Sequence, residues 1–170
     1  MANILTTIRL LLTVPIILFI FEENFPIASL LILIGGITDW FDGNIARKSE
    51  KSSFGKLYDP VVDKIFSISI FIALVGVGKV SAVPVIFLTV RELLISLFRS
   101  LAAEKGLIIE ASLLGKIKAF LEFASLFAIT ADLEAGYILL WLAIAFAYIS
   151  AGDYLLSYLR YKEKPSAEKH

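Results

Sequence analysis

Six long apolar stretches decide what this chain can fold into. They lie at about residues 4–21, 25–46, 60–77, 82–102, 112–130 and 136–159, and each is close to the roughly 20 residues that a membrane-spanning helix needs. The chain has 170 residues, 58% of them hydrophobic, and a mean hydropathy of +0.84, which is too apolar for an ordinary soluble domain. The expected fold is therefore all-α, a polytopic integral membrane protein of six transmembrane helices. Thr6, Thr7 and Arg9 interrupt the start of the first stretch and no small-residue cleavage pattern follows Phe21, so it is expected to persist as a helix and not as a cleaved signal peptide.

Loop charges orient such a bundle, because Lys and Arg near helix ends stay on the cytoplasmic side. Arg47, Lys48, Lys51, Lys56, Lys105, Arg160, Lys162, Lys164 and Lys169 fall on one set of connections and the tail, whereas the other set holds only Lys79 among acidic Glu22, Glu23, Asp132 and Glu134. Both termini are expected in the cytoplasm. Residues 1–160 read as one membrane domain and 161–170 as a polar tail. The balance of 16 basic and 16 acidic residues adds nothing about partners, and no nucleic-acid partner is expected. The lack of cysteine removes thiolate metal sites and disulfides. Trp40, Trp141, Tyr137, Tyr158 and Tyr161 stand near the expected span ends, where aromatic anchors belong.

One stretch breaks the apolar pattern: DWFDGNIARKSEKSSFGKLYDPVVDK, residues 39–64. Ionisable groups at membrane depth cost several kcal/mol each, so they mark a polar cavity or a site. Asp39 and Asp42 share a helical stripe with the small residues Gly43 and Ala46, and Asp59 and Asp63 share a stripe of a helix expected to start near Pro60. A short basic connection containing Gly55 joins the two pairs. Four converging carboxylates repel unless cations lie between them. Hard divalent ions suit all-oxygen ligands, Mg²⁺ first and Mn²⁺ or Ca²⁺ next, and a pair of them suits displacement at phosphorus. Gly43 and Ala46 would let a bulky ligand approach the backbone, with Arg47 offered to a phosphate. The plainer reading makes these aspartates interfacial charges paired with nearby Lys and Arg.

Written D-x2-D-G-x2-A-R-x7-G-x3-D-x3-D, these residues resemble the signature of the CDP-alcohol phosphotransferase family of membrane enzymes. The resemblance implies a reaction in which an alcohol displaces CMP from a CDP-linked lipid or alcohol. It implies that Asp39, Asp42, Asp59 and Asp63 ligate two divalent ions, that Asp63 is also the general base, and that Gly43, Ala46, Arg47 and Gly55 line the CDP moiety. It further implies a homodimer.

Two more segments are similar to the bacterial phosphatidylglycerolphosphate synthase branch of that family. The opening N-x2-T-x2-R places Asn3, Thr6 and Arg9 on one face of the first helix, within reach of the nucleotide; otherwise they are caps and a snorkelling arginine. An R-E-x6-R segment followed by G-K-x-K supplies the acid Glu92 and the cations Arg91, Arg99, Lys116 and Lys118, which suit an acceptor that carries a phosphate. Internal pairing, Glu92 with Arg99 or Glu122 with Lys118, is the other role these charges can fill. Ala119 and Glu122 depart from that branch, which commonly has Thr and a later Gln there.

The resemblance thus implies CDP-diacylglycerol and sn-glycerol 3-phosphate as substrates, at a site facing the cytoplasm of a bacterial inner membrane and surrounded by membrane lipids. Another acceptor, such as inositol phosphate, serine or phosphatidylglycerol, stays open, as does an ion transporter built on intramembrane aspartates.

Overall fold

Each apolar stretch forms an α-helix in the computed structural model, which describes residues 2–46, 53–104 and 113–163, with side chains over 6–38, 61–102 and 113–152. The helices are α1 (Ala2–Phe21), α2 (Phe25–Ala46), α3 (Ser53–Gly76), α4 (Ala82–Glu104), α5 (Leu113–Thr130) and α6 (Ala135–Glu163), with no strand among the described residues. The third begins earlier than its sequence suggests. Pro60 favours a first turn, yet the helix runs through it from Ser53, so Lys56 and Gly55 belong to α3 and not to the connection before it. An interior proline removes one backbone bond without ending a helix that its neighbours hold in place; Pro15 inside α1 is a second case.

Three connections share one backbone solution. After α1, α3 and α5 the chain turns through a left-handed residue, Glu23 (φ 57°), Gly78 (φ 73°) and Asp132 (φ 57°). In each, the next residue's N–H reaches back over the helix end: Asn24 to the Phe19 carbonyl (2.8 Å), Lys79 to Leu74 (2.9 Å) and Leu133 to Ala128 (2.8 Å). The terminal carbonyls are thereby satisfied and the chain reverses sharply. Such tight turns make consecutive helices antiparallel neighbours. That same end is tied together by Lys79, which pairs with Asp132 and lies 3.8 Å from the Phe25 ring centroid, while the Tyr137 hydroxyl donates to its carbonyl (2.5 Å).

Alternating direction sorts the side chains by depth. The apolar core takes Ile16 and Ile20 from the late part of α1, Ala28 and Ile32 from early α2, Phe66, Ile70, Phe71 and Leu74 from α3, and Leu88 from early α4. Leu126 and Ile129 of late α5 and Leu140 and Ile144 of early α6 complete it. At the opposite end the described buried residues include the charged or polar Thr6, Arg9, Arg91, Glu92, Lys118, Glu122 and Ser150, beside the apolar Val62, Ala102 and Ala147. In contact terms, α1 packs on α2 and α3, α5 on α6, α2 and α3, and α4 on α6 and α3.

Close approach is needed where α5 turns into α6. A Cβ on Gly136 would stand 2.7 Å from the backbone nitrogen of Ile129 and 2.7 Å from its Cγ1. Gly136→Val is expected to cost about 1–3 kcal/mol, as overpacking does, read as a lower midpoint in thermal unfolding of the detergent-solubilised protein.

Many outward-facing positions are apolar: Leu11, Val14 and Leu18 on α1, Leu30 and Ile34 on α2, Ile72 on α3, Leu93, Leu97 and Phe98 on α4, Phe120 on α5, and Ile138, Trp141 and Ile149 on α6 are exposed. Among the described residues one helix, over Ala135–Gly152, is long and apolar enough to cross a membrane by length and composition; Thr6–Phe21 and Phe25–Thr38 are shorter apolar stretches. Charges interrupt α3, α4 and α5 near their middles, through Asp63 and Lys64, Arg91 and Glu92, and Lys116, Lys118 and Glu122.

Candidate active site

The charged end of the bundle is assembled around α3, whose successive residues Asp63 and Lys64 point to different neighbours, as a step of about 100° along a helix requires. Asp63 accepts from Arg9 Nη1 of α1. Arg9 is buried and the Asp63 carboxylate half-exposed, so the pair fixes an acid at the rim of the bundle. Thr6, one turn before Arg9, is buried with it. The hydroxyls nearby bond to their own helices, Thr13 to the Arg9 carbonyl (3.0 Å) and Ser67 to that of Asp63 (2.9 Å), which leaves the carboxylate of Asp63 to its partners.

On the other side of α3 lies a buried ionic cluster drawn from four helices. Glu92 of α4 is its centre: its Oε1 takes Arg91 Nη1 at 2.6 Å and Lys118 Nζ of α5 at 2.7 Å, and Lys64 Nζ approaches its Oε2 at 3.9 Å. Lys64 also donates to the Glu92 carbonyl (3.2 Å). Lys118 pairs in addition with Glu122, one turn on, the internal pair that the sequence allows. Arg91 reaches across to α6, donating from Nε to the Ala147 carbonyl (2.8 Å) and from Nη2 to Ser150 Oγ (2.5 Å). Ser150 in turn donates to the Ala147 carbonyl (2.9 Å), and Ser125 bonds to that of Glu122 (2.8 Å). Buried charges are stable in this form only when paired and fully hydrogen-bonded.

Of the residues singled out in the sequence, the structure brings Arg9 to Asp63 and gathers Arg91, Glu92, Lys118 and Glu122 into one cluster. Arg99 and Lys116 are exposed on the same halves of α4 and α5. The backbones of Asp39, Asp42, Gly43 and Ala46 are helical at the end of α2, and those of Gly55 and Asp59 early in α3, at the charged end; their side chains, with that of Asn3, lie outside the described ones. Arg47 lies outside the described residues altogether. Two contributors escape sequence reasoning. Ser150 is marked only as a small polar residue in an apolar helix, and Lys64 only as the residue after the last aspartate.

A family model described as CDP-alcohol phosphatidyltransferase matches residues 1–149. The chain belongs to that family. Relatives of this phosphatidyltransferase include proteins named CDP-diacylglycerol–glycerol-3-phosphate 3-phosphatidyltransferase from several bacteria. The one from Rickettsia bellii is 31% identical over 169 residues, covering 91% of this chain and 93% of the relative. That from Wigglesworthia glossinidia brevipalpis is 31% identical over 166 residues, covering 92% and 90%, and that from Bacillus subtilis 31% over 146 residues, covering 78% and 76%. In the family frame, the described geometry supplies one acid held by a buried arginine and, on the neighbouring helices, a cluster of three cations and two carboxylates with one positive charge in excess. That arrangement is suited to binding phosphates and moving a proton next to them.

Proposed function

We propose that the chain transfers the phosphatidyl group of CDP-diacylglycerol to sn-glycerol 3-phosphate, giving phosphatidylglycerol phosphate and CMP. The observation that carries this reading is the position of Asp63, the last aspartate of the signature, between Arg9 on one side of α3 and the Lys64–Glu92–Lys118 cluster on the other. The names of relatives that match nearly the whole chain support the same substrates.

In this proposal all six helices of the domain over 1–160 span a bacterial inner membrane, the tail over 161–170 and both termini are cytoplasmic, and two copies form a homodimer. Helices of 18 to 29 residues at about 1.5 Å per residue are comparable in length with about 30 Å of hydrocarbon, the shortest falling slightly below it. Apolar side chains exposed on every helix suit lipid contact, and the distribution of Lys and Arg supports the orientation.

The donor chemistry fits hard cations: every signature acid is a carboxylate, and Asp63 is half-exposed at the rim. Asp39, Asp42, Asp59 and Asp63 would hold two ions, Mg²⁺ or Mn²⁺, which when bound neutralise the diphosphate and polarise its phosphorus. Asp63 takes the proton of the acceptor hydroxyl as that oxygen bonds to the phosphorus carrying diacylglycerol and the bond from this phosphorus to the CMP oxygen breaks. Arg9 orients Asp63, and with Asn3, Thr6, Gly43, Ala46, Arg47 and Gly55 it lines the nucleotide side. Arg91, Arg99, Lys116 and Lys118 supply the positive field for the acceptor phosphate.

Purified protein given CDP-diacylglycerol and Mg²⁺ is expected to release CMP with glycerol 3-phosphate, and much more slowly with serine, inositol phosphate or phosphatidylglycerol. Release with one of the others in preference to glycerol 3-phosphate would reassign the acceptor.

A further inference from the structure

Cations in the buried cluster are not equally available to a ligand. The Arg91 side chain is 6% exposed and the Lys118 side chain 7%, whereas that of Lys64 is 24% exposed. Arg91 directs Nε, Nη1 and Nη2 to Ala147, Glu92 and Ser150, all within 2.8 Å. Lys118 is clamped between two carboxylates. Lys64 has longer contacts: 3.2 Å to the Glu92 carbonyl and 3.9 Å to the Glu92 carboxylate. An ammonium carries three donors, and exchanging a neutral carbonyl for a phosphate oxygen strengthens the bond, because both partners are then charged.

The charge of the cluster points the same way. Lys64, Arg91 and Lys118 face Glu92 and Glu122, so this group of five carries one positive charge in excess. The short contacts join the two carboxylates to Arg91 and Lys118, which leaves the excess on Lys64. Its place in sequence adds a positional argument. Lys64 follows Asp63 directly, so an anion held by Lys64 stands about one helical step round α3 from the acid that Arg9 holds.

We propose that Lys64 contacts the phosphate of the acceptor and so selects a phosphorylated alcohol, with Glu92 setting its position; this rests on the transfer reaction proposed above. Arg91 and Lys118 then act as fixed charge behind it. A compact ammonium is suited to a phosphate as a point charge, without requiring bidentate geometry.

The test is steady-state CMP release by purified wild type, Lys64→Met and Lys64→Arg, varying glycerol 3-phosphate and CDP-diacylglycerol separately at saturating Mg²⁺. Expected for Lys64→Met is a KM for glycerol 3-phosphate at least about 10-fold higher, as loss of a charged hydrogen bond implies. Its kcat should stay within about threefold and its KM for CDP-diacylglycerol should not change, while Lys64→Arg recovers most of the loss. Inorganic phosphate, a competitor at the same subsite, should lose inhibitory strength against Lys64→Met in parallel. An unchanged KM for glycerol 3-phosphate overturns the proposal. So does a higher KM for CDP-diacylglycerol, which would put Lys64 on the nucleotide diphosphate, or a fall in kcat with both KM values kept, which would make its role structural. Failure of the wild type itself to release CMP with glycerol 3-phosphate rejects the transfer reaction, a result distinct from any behaviour of the variants.

Discussion

Replacing Asp63 with asparagine is expected to lower the rate of CMP release by about 10³-fold, within the range that a positioned general base contributes. The substitution keeps size and shape but removes the negative charge and the site for the transferred proton. The bundle should survive it, because the side chain is half-exposed and an asparagine carbonyl can still accept from Arg9. Thermal unfolding of wild type and variant in the same detergent checks that the two fold alike. A variant that is equally stable and still turns over at the wild-type rate would remove Asp63 from the chemistry.

The second large effect is on stability. Glu92→Ala deletes the carboxylate that stands between Arg91 and Lys118 and leaves two buried cations with only Glu122 as counter-charge. Breaking one partner out of a buried ion pair costs about 3–5 kcal/mol. For a chain of this size that is on the order of 10 °C in melting temperature. The expected signature is non-additive: combining Glu92→Ala with Lys118→Met should cost less than the sum of the two single changes by about 0.5–3 kcal/mol, because the second change removes a charge the first has orphaned. Strict additivity would mean that the two side chains do not depend on each other.

How far such features can be read from the chain differs from residue to residue. The six helices are legible because each apolar stretch is long, and the sorting of charge to one end is consistent with the sharp reversals after α1, α3 and α5. Loop-charge counting also separates the Lys79–Asp132 end from the site end. The start of α3 is not legible: Pro60 is a good first-turn residue, and nothing local says that the helix extends seven residues before it, back to Ser53. Pairings between distant helices are harder still. Glu92, Ser96 and Arg99 share a stripe, and periodicity makes Glu92–Arg99 a natural pair, yet the Glu92 carboxylate takes the adjacent Arg91 and, from another helix, Lys118. Which neighbour wins depends on how α4, α5 and α6 pack, and single-helix spacing carries no information on that. Lys64 and Ser150 are missed for the same reason, since each gains its role only from a partner on another helix.

This chain is expected to make a new phosphodiester bond to glycerol 3-phosphate using the phosphatidyl group of CDP-diacylglycerol. The most direct test of that transfer follows radiolabelled glycerol 3-phosphate into the lipid extract of a reaction containing only purified protein, CDP-diacylglycerol, detergent and Mg²⁺. The expected result is label in a phosphorylated lipid in equal amount to the CMP released, lost when CDP-diacylglycerol is omitted and reduced about 10³-fold in initial rate by Asp63→Asn. Label that stays in the aqueous phase while CMP accumulates, or lipid label that forms equally well without CDP-diacylglycerol, would contradict it.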